Sequence, residues 1–143
     1  MKSITVRTEV DVRFNEADPL GIVWHGHYIR YFEDGREAFG KKYGCSYLDF
    51  YKNGLVVPIV KVDCDYKKSL RYGDSLIVEA TYTPSAAAKI VFHYHIYHAA
   101  TGELVAKGST TQVFLDKENN LLQLATPPFF VEWQKRASAN LEL

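Results

Sequence analysis

The sequence predicts an α+β fold: one strand, one long helix, then roughly four antiparallel strands joined by short turns. Two observations carry this. The first half changes from a two-residue alternation to a helical spacing of aromatic residues. The second half alternates polar and apolar residues in segments separated by tight-turn signals. A sheet with one apolar face needs a second layer, so the long helix is expected to cover it.

Residues 3–14 place Ile4, Val6, Val10, Val12 and Phe14 in one phase and Thr5, Arg7, Glu9, Asp11 and Arg13 in the other. That is the pattern of a half-buried strand, with an irregularity of register expected near Thr8. Asn15 to Gly21 is turn chemistry: Pro19 holds Asp18 extended, and Gly21 permits a tight backbone path. Tyr28, Tyr31, Phe32, Gly35, Ala38 and Phe39 then recur at helical spacing, up to Lys41-Lys42, with Gly44 as C-cap. Tyr47–Lys52 reads as a short second helix stopped by Asn53-Gly54. Leu55–Tyr66, Ser75–Thr83, Lys89–His98 and Leu104–Leu115 read as strands, with Thr101-Gly102 as a hairpin turn. Pro127-Pro128 opens a C-terminal helix from Phe129 to about Arg136.

The 143 residues are expected to form a single domain, residues 1–143. Lys plus Arg and Asp plus Glu are both 17, so no net field recruits nucleic acid or an anionic membrane. The N-terminus lacks the apolar core of a signal peptide, and no run approaches the roughly 18 apolar residues of a membrane span. A cytoplasmic protein is expected, with Cys45 and Cys64 as free, buried thiols.

The chemistry concentrates in Phe14-Asn15-Glu16-Ala17-Asp18-Pro19-Leu20-Gly21-Ile22-Val23-Trp24-His25-Gly26-His27-Tyr28. An acid sits on a rigid turn, a glycine lets the backbone approach a ligand, and a helix start supplies amide donors for developing negative charge. Taken alone, Asp18 reads as readily as a loop residue, since Asp before Pro is common in turns. His25 alone reads as a cap or packing residue. Glu33 and Glu37, with Arg30, Arg36 and Lys41 at helical spacings, read as a solvated ion-pair face. His93 and His95 share one strand face and His98 lies on the other, a poor metal site, so no metal is expected. There is no Gly-x-Ser-x-Gly elbow and no phosphate-binding glycine loop.

Asp18-Pro19-x-Gly21-Ile22-Val23-Trp24, followed by Tyr28 and Tyr31-Phe32-Glu33, resembles the 4-hydroxybenzoyl-CoA thioesterase-like branch of the hotdog superfamily. That branch includes the small acyl-CoA thioesterases of the bacterial Tol–Pal cluster. A second block, Val57-Pro58-Ile59-Val60 through Asp65-Tyr66-Lys67-Lys68 to Tyr72-Gly73-Asp74, extends the likeness over nearly the whole chain. The resemblance implies a hotdog fold, in which about five antiparallel strands wrap a long central helix, with active sites at a dimer interface and tetramers common. It implies hydrolysis of an acyl-CoA or acyl-carrier-protein thioester without a cofactor. Asp18 would be nucleophile or general base, amides near Trp24 and His25 the oxyanion hole, and His25 and Tyr28 would align the substrate. Pro58, Lys67, Lys68 and Lys89 are the remaining expected substrate contacts. His25 leans towards the Tol–Pal type, and Asp18-Pro19 with Trp24 towards the hydroxybenzoyl type. Ser85-Ala86-Ala87-Ala88-Lys89 replaces the basic cluster that grips CoA phosphates in the latter. Two other classes stay open: an acyl or acyl-carrier-protein binding module without turnover, and a hotdog hydratase or dehydratase using His25 with a carboxylate across the interface.

Overall fold

The computed structural model describes residues 1–141. Strand β1 (Ile4–Asp11) leads through a single 3-10 turn, Phe14–Glu16, to helix α1 (His27–Tyr43) and a short α2 (Tyr47–Lys52). Strands β2 (Leu55–Val56), β3 (Ile59–Tyr66), β4 (Ser75–Thr83), β5 (Lys89–His98), β6 (Leu104–Val113) and β7 (Leu115–Asp116) follow, and α3 (Pro128–Leu141) closes the chain. Five strands form one antiparallel sheet in the order β1-β4-β5-β6-β3, and β2 pairs with β7 beside it. The expected α+β class and the hotdog arrangement of a long helix against a five-stranded sheet are both present.

Helix α1 lies on the sheet because its inward stripe is apolar: Tyr31, Phe32 and Phe39 are fully buried against Leu76, Val78, Tyr94 and Ile96. Two glycines set how close it comes. A Cβ on Gly35 would stand 2.7 Å from Val78 Cγ1, and one on Gly108 would overlap the Asp63 carbonyl and meet the Phe32 ring at 2.7 Å. Phe32 therefore drops over β6 and stacks on Tyr94, centroids 4.5 Å apart. Gly44 ends the helix at φ +73°, its N–H donating to the Gly40 carbonyl. Ser46 caps α2 reciprocally with Asp49.

Several expectations are corrected. The β1 register runs unbroken from Ile4↔Tyr82 to Asp11↔Ser75. Thr8 takes the inward phase itself, half-buried, because a β-branched threonine fits a pleated surface without slipping it. Phe14 is not in the strand but exposed on the 3-10 turn. Leu55–Tyr66 is two strands, interrupted at Val57-Pro58, since Pro58 has no N–H for a ladder. The last long strand stops at Val113, and the C-terminal helix extends past Arg136 because Ala137 continues the buried face of Phe130 and Trp133. Arg36 is not on a solvated face: its guanidinium bonds Glu33 and the Tyr47 hydroxyl and lies 4.2 Å from the Tyr47 ring centroid, so α2 covers it. Among the described residues no helix is long and apolar enough to cross a membrane.

Candidate active site

The Asp18 loop is built by local hydrogen bonds. Gly21 N–H donates to the Asp18 carbonyl at 2.9 Å, closing a four-residue turn with Pro19 second and Gly21 at φ +81°. Asp18 N–H donates to Ile22 O at 2.8 Å, and Ala17 bridges Val23. The carboxylate is fixed by the same turn: Oδ1 accepts from Leu20 N–H at 2.8 Å and Ile22 N–H at 3.4 Å. Oδ2 has no hydrogen-bond partner among the described residues. Val23 N–H donates to Leu70 O at 2.7 Å, fastening the loop to buried Leu70.

An open cleft lies beside this loop, bordered by Asp18, Ile22, His25, Tyr28, Lys67 and Lys68, with Tyr66 also on its wall. The sequence-predicted residues Asp18, His25, Tyr28, Lys67 and Lys68 thus meet at one place. Tyr28 is buried and its hydroxyl donates to Lys68 O at 3.3 Å; Tyr66 O–H donates to His25 O at 2.8 Å. These two bonds tie the start of α1 to the end of β3. Tyr66 was not singled out beforehand, although its place in the second motif block, beside Lys67, was the available signal.

Trp24 behaves differently from expectation. Its backbone N–H donates to Glu16 O at 3.0 Å and is not free for a ligand. Its indole lies over Gly26, where any Cβ would collide with it, and packs against the rings of His25 and His27. The His25 N–H, by contrast, makes no hydrogen bond among the described residues. His25 precedes α1, which begins at His27, so it sits at the positive end of the helix dipole.

Pro58 and Lys89 lie elsewhere. Both are exposed at the end of the sheet where Ile59 pairs with Gln112 and Lys89 with Val113. The cleft is at the Tyr66 end, seven residues along β3, which is about 23 Å at strand rise. Of the two cleft lysines, Lys68 has its ammonium 3.7 Å from Glu103.

Beneath the loop is a buried polar group that sequence reading missed. Glu16 is 1% exposed. Its Oε1 accepts from Arg13 N–H at 2.6 Å and from Tyr31 O–H at 3.0 Å, and its Oε2 lies 3.6 Å from the Arg13 guanidinium. Burial, then the Glu16 carboxylate, pushes the Tyr31 phenol upward, so it stays a proton donor at any working pH. No local pattern announces Glu16, since Phe14, in the same even phase, is exposed on the 3-10 turn.

Asp34, on the following turn of α1, has a carboxyl raised above the usual range, first by burial, with Arg13 opposing and Glu16 and Glu37 adding. Its Oδ2 is closed off without a partner. Ionisation is therefore harder in the folded state than in the unfolded chain, and it lowers stability as pH rises through the carboxylate range. Asp34→Asn is expected to raise the thermal midpoint at pH 7, with the gain shrinking as the pH falls towards about 4, the ordinary aspartate value, and gone below it. Melting curves at both pH values check this.

On β5, His93 and His95 point away from buried Phe92, Tyr94 and Ile96, as expected. Among the described residues no three His, Cys, Asp or Glu groups are placed to hold a metal. Cys45 and Cys64 are free and half-buried.

Comparison with known proteins gives a consistent result. Residues 12–137 match the model of the thioesterase-like superfamily. YneP of Bacillus subtilis (strain 168), provisionally assigned as an acyl-CoA thioesterase, is 38% identical over 113 residues, covering 79% of this chain and 81% of that protein. The crystal structure of DHNA-CoA thioesterase from Staphylococcus aureus superposes with a TM-score of 0.83 at 28% identity, covering 96% of this chain and 94% of that one. The 4-hydroxybenzoyl CoA thioesterase of Pseudomonas sp. shares the fold, with a TM-score of 0.78 at 20% identity over 92% of this chain and 97% of that one.

Proposed function

The chain belongs to the thioesterase-like superfamily and is an acyl-thioester hydrolase, and from that premise we propose that Asp18 and the His25 N–H are its reacting groups. The observation that carries this is the division of labour in one cleft: Asp18 Oδ1 is fastened by two amides, Oδ2 is unengaged, and a free amide lies at the helix start.

The thioester carbonyl oxygen is bound by the His25 N–H, where the helix dipole favours the negative charge that develops as the carbonyl carbon is attacked. One such donor contributes roughly 3 kcal/mol to the barrier reduction. Asp18 Oδ2 acts on that carbon, directly as nucleophile or by taking a proton from the attacking water. The thiolate is a good leaving group, so no serine triad is required. The His25 ring and Tyr28 border the thioester, and Lys67, free of the Glu103 contact that engages Lys68, meets the phosphates of the CoA arm.

A homodimer across β3 completes the site. β3 is an edge strand with Val60 60%, Val62 43% and Tyr66 47% exposed, an apolar edge that a soluble protein covers. Antiparallel pairing about the strand centre sets Ile59 opposite the partner's Tyr66 and Pro58 opposite the partner's Lys67. That brings the end of the sheet carrying Pro58 and Lys89 towards the other subunit's cleft.

Thiol release from a panel of short-chain, long-chain and aromatic acyl-CoAs, and from acyl-carrier-protein thioesters, tests the reading. Release of one thiol per acid formed is expected. Retention of an acyl ligand without release marks a binding module; hydration of an enoyl thioester without thiol release marks a hydratase.

A further inference from the structure

The His25 N–H projects from a short stretch, Trp24-His25-Gly26, that precedes the first turn of α1. Two peptide planes that meet at the His25 Cα set its direction. In the first, the Trp24 carbonyl accepts from His27 N–H at 3.0 Å. A trans peptide points its N–H opposite to its carbonyl, so the His25 N–H is turned away from His27. In the second, the His25 carbonyl accepts from Tyr28 N–H at 3.3 Å and from the Tyr66 hydroxyl at 2.8 Å. The bonds from His27 and Tyr28 are internal to the helix start and move with it. Among the described residues, only the bond from Tyr66 reaches these two planes from another element.

Tyr66 is itself well held. It pairs with Ala106 on β6, and just beyond it the Lys67 and Lys68 N–H groups both donate to Val105 O, at 2.8 and 3.0 Å. Its ring meets the Tyr28 ring edge-on with centroids 4.9 Å apart, and the His25 ring at 90° with centroids 6.2 Å apart. Partial burial, then the Cys64 thiol beside it, pushes the phenol up to about 12, so the hydroxyl keeps the proton it donates. We infer that Tyr66 is a positioning residue for the reaction: its hydroxyl ties the His25–Gly26 peptide to the sheet and so aims the His25 N–H at the thioester carbonyl oxygen. The inference rests on the thioesterase reading and on the His25 donor. A donor of this kind is effective because it is already in place when charge develops and need not reorient. Tyr66 is 47% exposed, so its hydrogen bond contributes little to stability. Its consequence is in orientation.

The test uses the full chain in two arms. Kinetics compare wild type, Tyr66→Phe and Tyr72→Phe, the last an exposed phenol that does not border the cleft. The substrate is whichever of acetyl-, octanoyl- and benzoyl-CoA wild type hydrolyses fastest. Tyr66→Phe is expected to lose kcat by about five- to twentyfold, less than the roughly 10²-fold or more that a missing oxyanion donor costs. Its KM is expected to stay within about threefold, since ground-state contacts are kept. Its thermal midpoint is expected to fall by no more than about 3 °C, the scale of one hydrogen bond in a chain of this size, with sedimentation as in wild type. Tyr72→Phe is expected to match wild type throughout. In the second arm, infrared difference spectra follow the carbonyl stretch of the same thioester, isotope-labelled at its carbonyl, on Asp18→Asn, which holds it uncleaved. Binding is expected to lower the stretch, as a hydrogen bond to the oxygen does, and Tyr66→Phe in that background to return part of the shift. Wild-type kcat in Tyr66→Phe, a loss carried by KM or by dissociated subunits, or a stretch unmoved by the substitution overturns the inference. A stretch that binding does not lower removes the His25 donor and the inference with it. If wild type hydrolyses none of the three, the thioesterase reading fails, and the spectra of bound octanoyl-CoA still decide whether Tyr66 aims the amide.

Discussion

Asp18→Asn lowers kcat for thioester hydrolysis by at least about 10²-fold, the lower end of what a positioned general base contributes, and leaves KM within a few-fold of wild type. The reason for expecting so clean a separation lies in the turn. Oδ1 is the structural oxygen, accepting from Leu20 and Ile22, while Oδ2 carries no bond among the described residues. An asparagine keeps an amide oxygen for the two backbone donors and replaces only the unengaged position, so the loop and the cleft persist. Asp18→Ala removes both functions and is expected to destabilise the loop as well, by about 1–2 kcal/mol for the lost backbone acceptor. Kinetics, thermal melts and sedimentation on the pair separate chemistry from architecture. Wild-type turnover in a folded Asp18→Asn protein sinks the assignment.

The parts of the molecule that sequence reading located are those whose causes are local. Asp18, Pro19 and Gly21 are legible because a proline-initiated turn ending in a left-handed glycine is written in four adjacent residues. The α1 stripe and the alternation of β5 are legible because burial repeats at fixed spacing. What escaped depended on distant partners. Arg36 sits among helix charges that look solvated, and only the fold brings Tyr47 over it. The Val57-Pro58 break was hidden within a β-branched run, although Pro58 itself marks it. The Trp24 amide looked available until Glu16, eight residues earlier, was seen to accept from it. Pro58 and Lys89 were grouped with the cleft by likeness, whereas within one chain they stand at the far end of the sheet.

Glu16 is where that long-range information has its largest energetic consequence. A carboxylate in the polar turn run Asn15-Glu16-Ala17-Asp18 would pass for a surface residue, yet it is almost wholly buried and joins three segments. Its side chain takes the Arg13 N–H and the Tyr31 hydroxyl, and its main chain takes the Trp24 N–H. Glu16→Ala leaves the buried Tyr31 hydroxyl and the part-buried Arg13 N–H without their acceptor; the first costs about 1–3 kcal/mol and the second less, so a loss of roughly 2–4 kcal/mol in unfolding free energy is expected. Glu16→Gln retains an amide oxygen where Oε1 stood and keeps both bonds. Oε2 has no hydrogen bond to lose, and the attraction to Arg13 across 3.6 Å is all that the neutral side chain gives up. Its cost is expected to be less than half that of alanine. The catalytic readout follows the same order, because Asp18 is two residues along the chain and His25 follows the residue whose amide Glu16 holds. Assayed well below its melting midpoint, Glu16→Ala is expected to lose kcat by about tenfold or more, the scale of a displacement that misplaces reacting groups, and Glu16→Gln to recover most of it. Denaturant unfolding gives the stability difference, and a kcat–KM split on the same protein gives the positioning effect. An alanine variant with wild-type stability and kcat would show that Glu16 holds nothing in place; one that is destabilised yet turns over normally when folded would confine it to architecture.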